Sequence, residues 1–273
     1  LWVPSEWQKQ CNIEQGMSED MIKVIPEAVD SKTFHPNPEA NLPEYKDDRF
    51  KFIHFGRWDY RKSTKEIIEA FLEEFGEDEP IDLVLSIDNR FAKDGLKNTE
   101  KRLEHYGISD PRLKVKHFPS REDYVQYLQK GHVFLSCARS EGWNLPLIEA
   151  MACGTPSIYS NCSAQLQFAK GKGLPVKITG KKPAIMGEYS TYSQSDMTGE
   201  FYTPDYEDLK IVMRDAYENY DKHKKQALKE SKEIRDKFTW ERAAELASIE
   251  IDNLYSNIPK NRVEISFNEG PKV

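Results

Sequence analysis

The chain has 273 residues, of which 38% are hydrophobic and 31% are charged, and its formal net charge is −7. This acidic balance argues against a nucleic-acid partner, and 13 Phe, 13 Tyr and 5 Trp supply enough apolar surface to exclude a disordered chain. No apolar run reaches the roughly 18 residues of a membrane-spanning helix, so the length predicts one large or two small globular domains.

The cysteines and the start of the chain bear on its cellular setting. The four cysteines, which form no C-x-x-C pair, are Cys11, Cys137, Cys153 and Cys162. Because thiols stay reduced inside cells, we expect a cytoplasmic protein, with peripheral attachment to a membrane left open. No short His and Cys cluster suggests a metal site. The chain opens at Leu1, in what reads as the end of a strand, so we expect a piece of a longer protein.

The segment before residue 50 is predicted to contain one helix and one strand. Ser5 is a suitable N-cap for a helix that ends at Gly16, and residues 21–26 form a strand. A loop follows over residues 27–36, and residues 36–49 are rich in proline and charge.

The next predicted strand, residues 50–56, leads into a loop that carries two cations, Arg57 and Lys62. Residues 63–66 read as a capping box that begins a helix with one apolar face. Because ligands of open α/β sheets bind at the carboxyl ends of strands, both cations are placed to clamp a diphosphate, the guanidinium as a bidentate fork and the ammonium as a point charge. The alternative is that each is a solvated surface charge.

Strands and helices alternate up to about residue 160, which predicts a parallel sheet with helices on its faces. The further predicted strands are 81–87, 112–118, 133–136 and 156–160, and the predicted helices occupy about 95–105, a segment from Ser120, and a segment from about 161.

A loop that turns into a helix follows the strand at 133–136. Asn144 is a good N-cap, and Gly154 is a typical helix end. The free N–H groups of this helix face the end of the sheet, which makes its start an anion site. Glu141 lies in the loop, and Glu149 points from the helix towards the same crevice, where it can accept hydrogen bonds from sugar hydroxyls.

The stretch from residue 140 to 156 resembles the E-x7-E signature of retaining GT-B glycosyltransferases of the family-4 type, the glycosyl transferases group 1. Asn144 stands where that family usually has Gly. Residues 56–63 resemble the family's G-R-x(4)-K-G segment, with Ser63 in place of the last Gly. Weaker similarities to family segments lie at residues 26–36, 199–209 and 238–240. The resemblance extends from about residue 2 to 257 and concerns the second, donor-binding half of a two-domain enzyme.

This resemblance implies an α/β fold: a Rossmann-like open parallel sheet with helices on both faces, the second half of a GT-B fold. We expect residues 1–35 to end the N-terminal domain and form the linker, 36–257 to form the nucleotide-sugar-binding domain with its final helix, and 258–273 to begin a following module or tail. Smaller expectations are an insertion or flap at 171–197, helices at about 205–222, 223–237 and 240–257, and a strand at 261–267.

The implied activity is transfer of a hexosyl group from a nucleotide-diphospho-sugar to an unknown acceptor (saccharide, lipid or protein), with retention and without a metal or other cofactor. Arg57 and Lys62 would neutralise the departing diphosphate, Glu141 would hold donor-sugar hydroxyls, and Glu149 would hold ribose hydroxyls. The remaining donor-binding candidates are Gly142, Trp143, Asn144, Leu145, His117 and Phe118. For Trp143 and His117, a packed structural role is an equal alternative.

Other functions are consistent with parts of the pattern. The chain alone is expected to be inactive without its N-terminal acceptor domain, so a nucleotide-sugar-binding module without activity stays open, as does a GT-B relative such as a nucleotide-sugar epimerase. An oxidoreductase is disfavoured because the loop after residue 55 lacks the G-x-G-x-x-G pattern.

Overall fold

The computed structural model describes residues 1–40, 48–92, 95–184 and 199–256. At the amino-terminal end, two short parallel strands, β1 (Trp2–Val3) and β2 (Lys23–Val24), flank helix α1 (Glu6–Glu14). Ser5 caps α1 as predicted, because its Oγ accepts the backbone N–H of Gln8 at 3.1 Å.

The centre of the molecule is a six-stranded, fully parallel sheet with the strand order β5-β4-β3-β6-β7-β8. Its strands are β3 (Phe50–Phe55), β4 (Ile81–Ser86), β5 (Leu113–Val115), β6 (Val133–Ser136), β7 (Ser157–Ser160) and β8 (Leu174–Val176). The helices that connect or follow them are α2 (Thr64–Glu74), α3 (Thr99–His105), α4 (Arg121–Lys130), α5 (Leu145–Ala152), α6 (Leu166–Ala169), α7 (Tyr206–Glu218), α8 (Tyr220–Lys237) and α9 (Trp240–Ser256).

Side chains that alternate along each strand build a separate core on each face of the sheet. Ile53 and Phe134 face a core shared with α4, α5 and α8. Phe52 and Leu135, one residue away on the same strands, face the other core, which is shared with α2, α3 and α7. The predicted fold class, an open parallel sheet with helices on both faces, is therefore confirmed. The predicted domain division near residue 35 stays a prediction.

The predicted capping box at residues 63–66 is wrong. Ser63 has a left-handed backbone, with φ of 54°, and its side chain makes no capping hydrogen bond to α2. Its Oγ instead accepts the hydroxyl of Tyr206 from α7, at 3.0 Å. A box of this type needs an extended N-cap residue, and the tight turn that precedes α2 excludes that backbone conformation.

The segment at residues 171–197 was expected to be irregular, and its described part is not. Residues 174–176 form the edge strand β8, and β9 (Ile178–Pro183) pairs antiparallel with β10 (Glu200–Pro204). β9 is mostly exposed, so its sequence is polar and lacks the alternation of a half-buried strand. Residues 185–198, like the predicted strand at 261–267, lie outside the described residues.

The three carboxy-terminal helices agree with the predicted positions, and Asp205 caps α7 through the N–H groups of Glu207 and Asp208. The linker and the start of α9 are joined, because the N–H of Val29 donates to the carbonyl of Phe238 at 2.9 Å. Throughout the described ranges, every helix is too short or too polar to cross a lipid bilayer.

Candidate functional site

The loops that follow β3 and β6 meet at the carboxyl edge of the sheet. Residues 60–62 form a 3-10 turn that Asp59 caps by accepting the backbone N–H of Lys62 at 2.8 Å. Arg139, in the loop after β6, donates its backbone N–H to the carbonyl of Arg61 at 2.7 Å and its Nε to the carbonyl of Tyr60 at 3.0 Å. These bonds fix the two loops against each other, although they are far apart in sequence.

A cluster of three charges lies where the loops meet. Glu141 Oε1 is in direct contact with Lys62 Nζ, and Glu141 Oε2 lies 2.8 Å from Arg61 Nη1. The side chain of Glu141 is 7% exposed, that of Lys62 13% and that of Arg61 25%. Two cations and one carboxylate leave a net positive charge at this edge, so the cluster can attract an anion.

The backbone at Glu141 is held by the loop after β7. Its N–H donates to Ser163 Oγ at 3.1 Å, and its carbonyl accepts the N–H of Ala164 at 3.3 Å. Residue Glu141 is therefore held from the β3, β6 and β7 sides, which fixes its position.

Asn144 occupies the N-cap position of α5, but the predicted capping bond from its side chain is absent. Its φ is 89°, in the left-handed region, and Nδ2 donates to Ser136 Oγ at 2.9 Å and to Gln165 Oε1 at 2.7 Å. The side chain thus braces β6 against the start of α6. Asn144 Oδ1 is buried and has no hydrogen-bond partner within the described ranges. In the first turn of α5, Pro146 has no N–H and the N–H of Leu147 donates to the carbonyl of Asn144 at 3.1 Å. Of these first three helical residues, only Leu145 has an N–H without a partner in the described residues.

Glu149 lies in a cleft of about 410 Å³ next to the start of α5. The lining residues come from the linker, α4, α5 and the start of α9: Ala28, Asp30, Phe34, Arg121, Tyr124, Leu145, Glu149 and Trp240. Tyr124 donates its hydroxyl to Glu149 Oε2 at 2.6 Å. Burial raises the pKa of Glu149, while the Tyr124 hydrogen bond and the charge of Arg121 act in the opposite direction.

Arg57 and His117 have partners outside the charge cluster. The guanidinium of Arg57 lies 5.4 Å from the ring centroid of Phe91 and 3.8 Å from Asp59, and its side chain is 45% exposed. His117 Nε2 lies 3.0 Å from Glu100 on α3, a contact that raises the pKa of the imidazole. Both side chains are accessible, and neither touches Glu141 or Glu149 in the part of the chain that the structure describes.

Two aromatic candidates pack into the protein. Trp143 is 3% exposed, and its ring centroid lies 5.3 Å from that of Phe168 and 5.9 Å from that of Phe238. Phe118 packs edge-on against Phe55 at 4.8 Å. For Trp143 this position favours the core alternative over a wall of the sugar site.

Gly142 and Leu145 lie at the surface of the α5 loop. The carbonyl of Gly142 accepts the hydroxyl of Ser5 at 3.4 Å, which brings the start of α1 next to the loop. Leu145 is exposed and lines the cleft. The two predicted carboxylates therefore occupy neighbouring positions around the start of α5: Glu141 pairs with Lys62 before the helix, and Glu149 faces the cleft from its second turn.

The sequence interpretation missed several residues of this region. Arg61 directly precedes Lys62, and these two adjacent basic residues were the available sign of a cationic site. The ring of Tyr124 packs against the core beside α4, as an apolar side chain would, but its hydroxyl reaches Glu149. Arg121 on α4 and Trp240 on α9 are far apart in the chain, so local spacing gave no sign that they meet at the cleft. In the described residues, no three acidic, His or Cys side chains come together as metal ligands would.

Residues 39–173 match the family model of the glycosyl transferases group 1. One of the proteins that make up the human phosphatidylinositol N-acetylglucosaminyltransferase is 25% identical over 142 residues, which cover 52% of this chain and 27% of that protein. The chain spans 24% to 37% of the length of the curated relatives that it matches.

Two solved structures illustrate the likeness in fold. Sucrose-phosphate synthase from Thermosynechococcus elongatus superposes with a TM-score of 0.67 at 20% identity, over 93% of this chain and 58% of that one. Anabaena HepE, in complex with UDP and glucose, gives a TM-score of 0.71 at 16% identity, over 93% and 62%. With the family match and the six-stranded parallel sheet, these findings show that residues 39–173 belong to the glycosyl transferases group 1 and lie in a Rossmann-like domain of the GT-B type.

Proposed function

We propose that this chain is the donor-binding half of a glycosyltransferase that takes a sugar from a nucleotide-diphospho-sugar and transfers it to an acceptor with retention of configuration and without a metal. The observation that carries this proposal is the meeting of Lys62 and Arg61, from the loop after β3, with Glu141, from the loop after β6, at the carboxyl edge of a parallel sheet. That edge is where open α/β sheets bind their ligands.

The cations are proposed to act on the diphosphate. When the bond between the sugar and the diphosphate breaks, negative charge grows on the departing group, so fixed positive charges stabilise the transition state more than the ground state. Lys62 and Arg61 share one carboxylate and keep a net positive charge, and the exposed guanidinium of Arg57 adds a third cation nearby in the same loop. Charge from side chains supports a metal-independent reaction, while retention is supported by the family resemblance.

The carboxylates are proposed to bind hydroxyl groups. Glu141 already pairs with two cations, and donor binding would let its oxygens also accept sugar hydroxyls beside the diphosphate. Glu149 has one oxygen occupied by Tyr124 and faces a cleft large enough for a ribose, so it is suited to ribose hydroxyls. The N–H of Leu145, at the start of α5, lies between the two in sequence and is suited to a phosphate oxygen.

The nucleotide is best sought first among the uridine compounds, because HepE, which has a similar fold, has been solved with UDP and with UDP-glucose. The acceptor is expected to bind largely to another domain of such an enzyme, since this chain covers 58% and 62% of its two fold neighbours. A nucleotide-sugar-binding module without activity remains the second candidate, since the chain covers 58% to 62% of those two neighbours.

The first experiment tests whether the chain binds a nucleotide-diphospho-sugar donor. Isothermal titration calorimetry with UDP, ADP, GDP and their glucose donors should show one of the bases binding at a single site. Lys62→Ala should weaken that binding at least tenfold, because a charge-assisted contact to phosphate contributes about 1.5–3 kcal/mol. The matched control Lys232→Ala removes an exposed lysine on α8 that pairs with Asp236 and should change nothing. Failure of all nucleotides to bind would refute the proposal.

The second experiment tests whether the cations act on the transition state of sugar transfer. In an active enzyme that contains this chain, Arg57→Ala and Lys62→Ala should lower turnover more than they lower donor affinity, because their charge is needed most in the transition state. A loss of donor affinity with turnover intact would contradict that role. Donor binding by such an enzyme without sugar transfer to any acceptor would favour the binding module.

A further inference from the structure

Tyr124 and Glu149 form a hydrogen-bonded pair across the floor of the cleft. Tyr124 comes from α4 and Glu149 from α5, and the hydroxyl donates to Glu149 Oε2 at 2.6 Å. A short bond from a hydroxyl to a carboxylate is among the stronger hydrogen bonds in proteins. It therefore fixes the orientation of the carboxylate, not merely its position.

The ring of Tyr124 is held from several sides, so its hydroxyl is well placed. Phe34 of the linker meets it edge-on at 6.2 Å between centroids, Phe118 at 5.6 Å, and Phe55 of β3 lies at 5.9 Å. Three aromatic neighbours leave the ring little freedom to rotate away. The phenol is thus a rigid donor that reaches one atom of Glu149.

The second oxygen of Glu149 is left for a ligand. Within the residues that the structure describes, no hydrogen bond reaches Glu149 Oε1, and this atom is not among the buried unpaired ones, so it is open to the cleft. Leu145 and Trp240 border the same cleft and supply apolar surface beside it. A carboxylate fixed through one oxygen and open at the other is suited to accept from a hydroxyl group.

We propose that Tyr124 is a positioning residue of the donor site: it holds Glu149 so that the free carboxylate oxygen accepts the ribose hydroxyls of the nucleotide. This role rests on the proposed function. It makes recognition of the ribose depend on a hydroxyl that never touches the ligand.

The hydrogen bond from Tyr124 also favours the charged form of the carboxylate. Burial raises the pKa of Glu149 and so favours its neutral form, which has fewer acceptor sites. The hydrogen bond from Tyr124 and the nearby charge of Arg121 both lower that pKa. Without the hydroxyl, Glu149 would be both less ionised and free to turn.

Removing the ribose hydroxyls from the ligand shows whether Tyr124 positions Glu149 for ribose binding or only contributes to packing. The nucleoside diphosphate that binds best among UDP, ADP and GDP is compared by calorimetry with its 2′,3′-dideoxy form, on the full 273-residue chain. For the wild type we expect the dideoxy form to bind on the order of a hundredfold more weakly, because it lacks hydrogen bonds to a charged acceptor. Tyr124→Phe should reduce this ratio about tenfold and leave the affinity for the dideoxy form within about twofold.

Tyr159→Phe is the matched control. Its hydroxyl also makes a buried structural bond, to the carbonyl of Ala169 at 2.7 Å, but Tyr159 is not part of the cleft, so the ratio should stay at the wild-type value. Thermal unfolding of both variants shows whether they fold.

Several results would overturn the role of Tyr124. They are an equal loss of affinity for both nucleotides in Tyr124→Phe, an unchanged ratio in that variant, or a wild type that binds both forms equally. In each of these cases nucleotide binding itself, and with it the proposed function, would stand. A wild type that binds no nucleoside diphosphate would instead remove the proposed function and this role together.

Discussion

Replacing Glu141 with glutamine tests whether the ion pairs of Glu141 with Lys62 and Arg61 stabilise the fold. Glu141→Gln keeps the shape of the side chain and removes its charge. Lys62 and Arg61, which each contact one carboxylate oxygen, would then be left side by side with no compensating charge. The two neighbouring positive charges would repel each other, which would weaken the contact between the loops after β3 and β6.

The size of the effect follows from burial. An exposed ion pair contributes about 0–1 kcal/mol to stability, and removing one partner of a buried pair costs about 3–5 kcal/mol. The carboxylate is 7% exposed, but the cations are 13% and 25% exposed and can recover part of their hydration. We therefore expect a loss of about 2 kcal/mol in the free energy of unfolding, which corresponds to a fall of about 5 °C in Tm.

Urea and thermal unfolding followed by circular dichroism measure this loss. The matched control is Glu207→Gln, since Glu207 also pairs with a lysine, Lys210 at 2.7 Å, but is 80% exposed, so its loss should stay within a few tenths of a kcal/mol. The double variant Glu141→Gln/Lys62→Met should recover part of the stability, because it removes one of the uncompensated charges. A Glu141→Gln variant as stable as Glu207→Gln, or a double variant with purely additive losses, would refute the reasoning.

Three other outcomes are expected. Burial lowers the pKa of both His54 and His132 from 6.5 to about 4. Because the unfolded chain takes up these protons first, each histidine should remove about 3 kcal/mol of stability as the pH falls from 6.5 towards 4. His54→Gln should halve that slope in pH-dependent urea unfolding, and an unchanged slope would contradict it. Asn144→Ala should be less stable than Asn144→Gly by about 1 kcal/mol, because both lose the same hydrogen bonds and only alanine is strained at a φ of 89°; equal unfolding midpoints would contradict this. Glu149→Gln should raise Tm at neutral pH, because burial disfavours the charged carboxylate, and should weaken nucleoside diphosphate binding in calorimetry; a lower Tm with intact binding would contradict both.

The sequence determined much of the sheet. The segments at residues 50–55, 81–86 and 133–136 are mostly apolar, and each is followed by a loop and a helix. Such segments are typical of parallel strands buried on both faces. Because such strands all end at one edge, Lys62 and Glu141 could be assigned to the same side of the molecule from the order of the elements. Their contact agrees with that assignment, while their roles in donor binding remain predictions.

The sequence did not predict the backbone conformation of single residues in the loops. Ser63 and Asn144 were both interpreted as ordinary caps, from residue type and local spacing, yet both have left-handed backbones. Their side chains bond to partners far away in the chain, Tyr206 for Ser63 and Gln165 for Asn144. Gly is the family's usual residue at both places, which was the available sign that the backbone, and not the side chain, decides the turn.

Side-chain partners were decided by the tertiary structure. Lys62 and Glu141 are 79 residues apart, and Tyr124 and Glu149 come from α4 and α5, the helices that precede and follow β6. The turn at residues 60–62 places Arg61 beside Glu141, while Arg57 lies near Phe91. The predicted action of Arg57 and Lys62 on a diphosphate stays a prediction. Local periodicity fixes which residues reach the carboxyl edge of the sheet, whereas the order of the strands and the paths of the loops fix which of them meet.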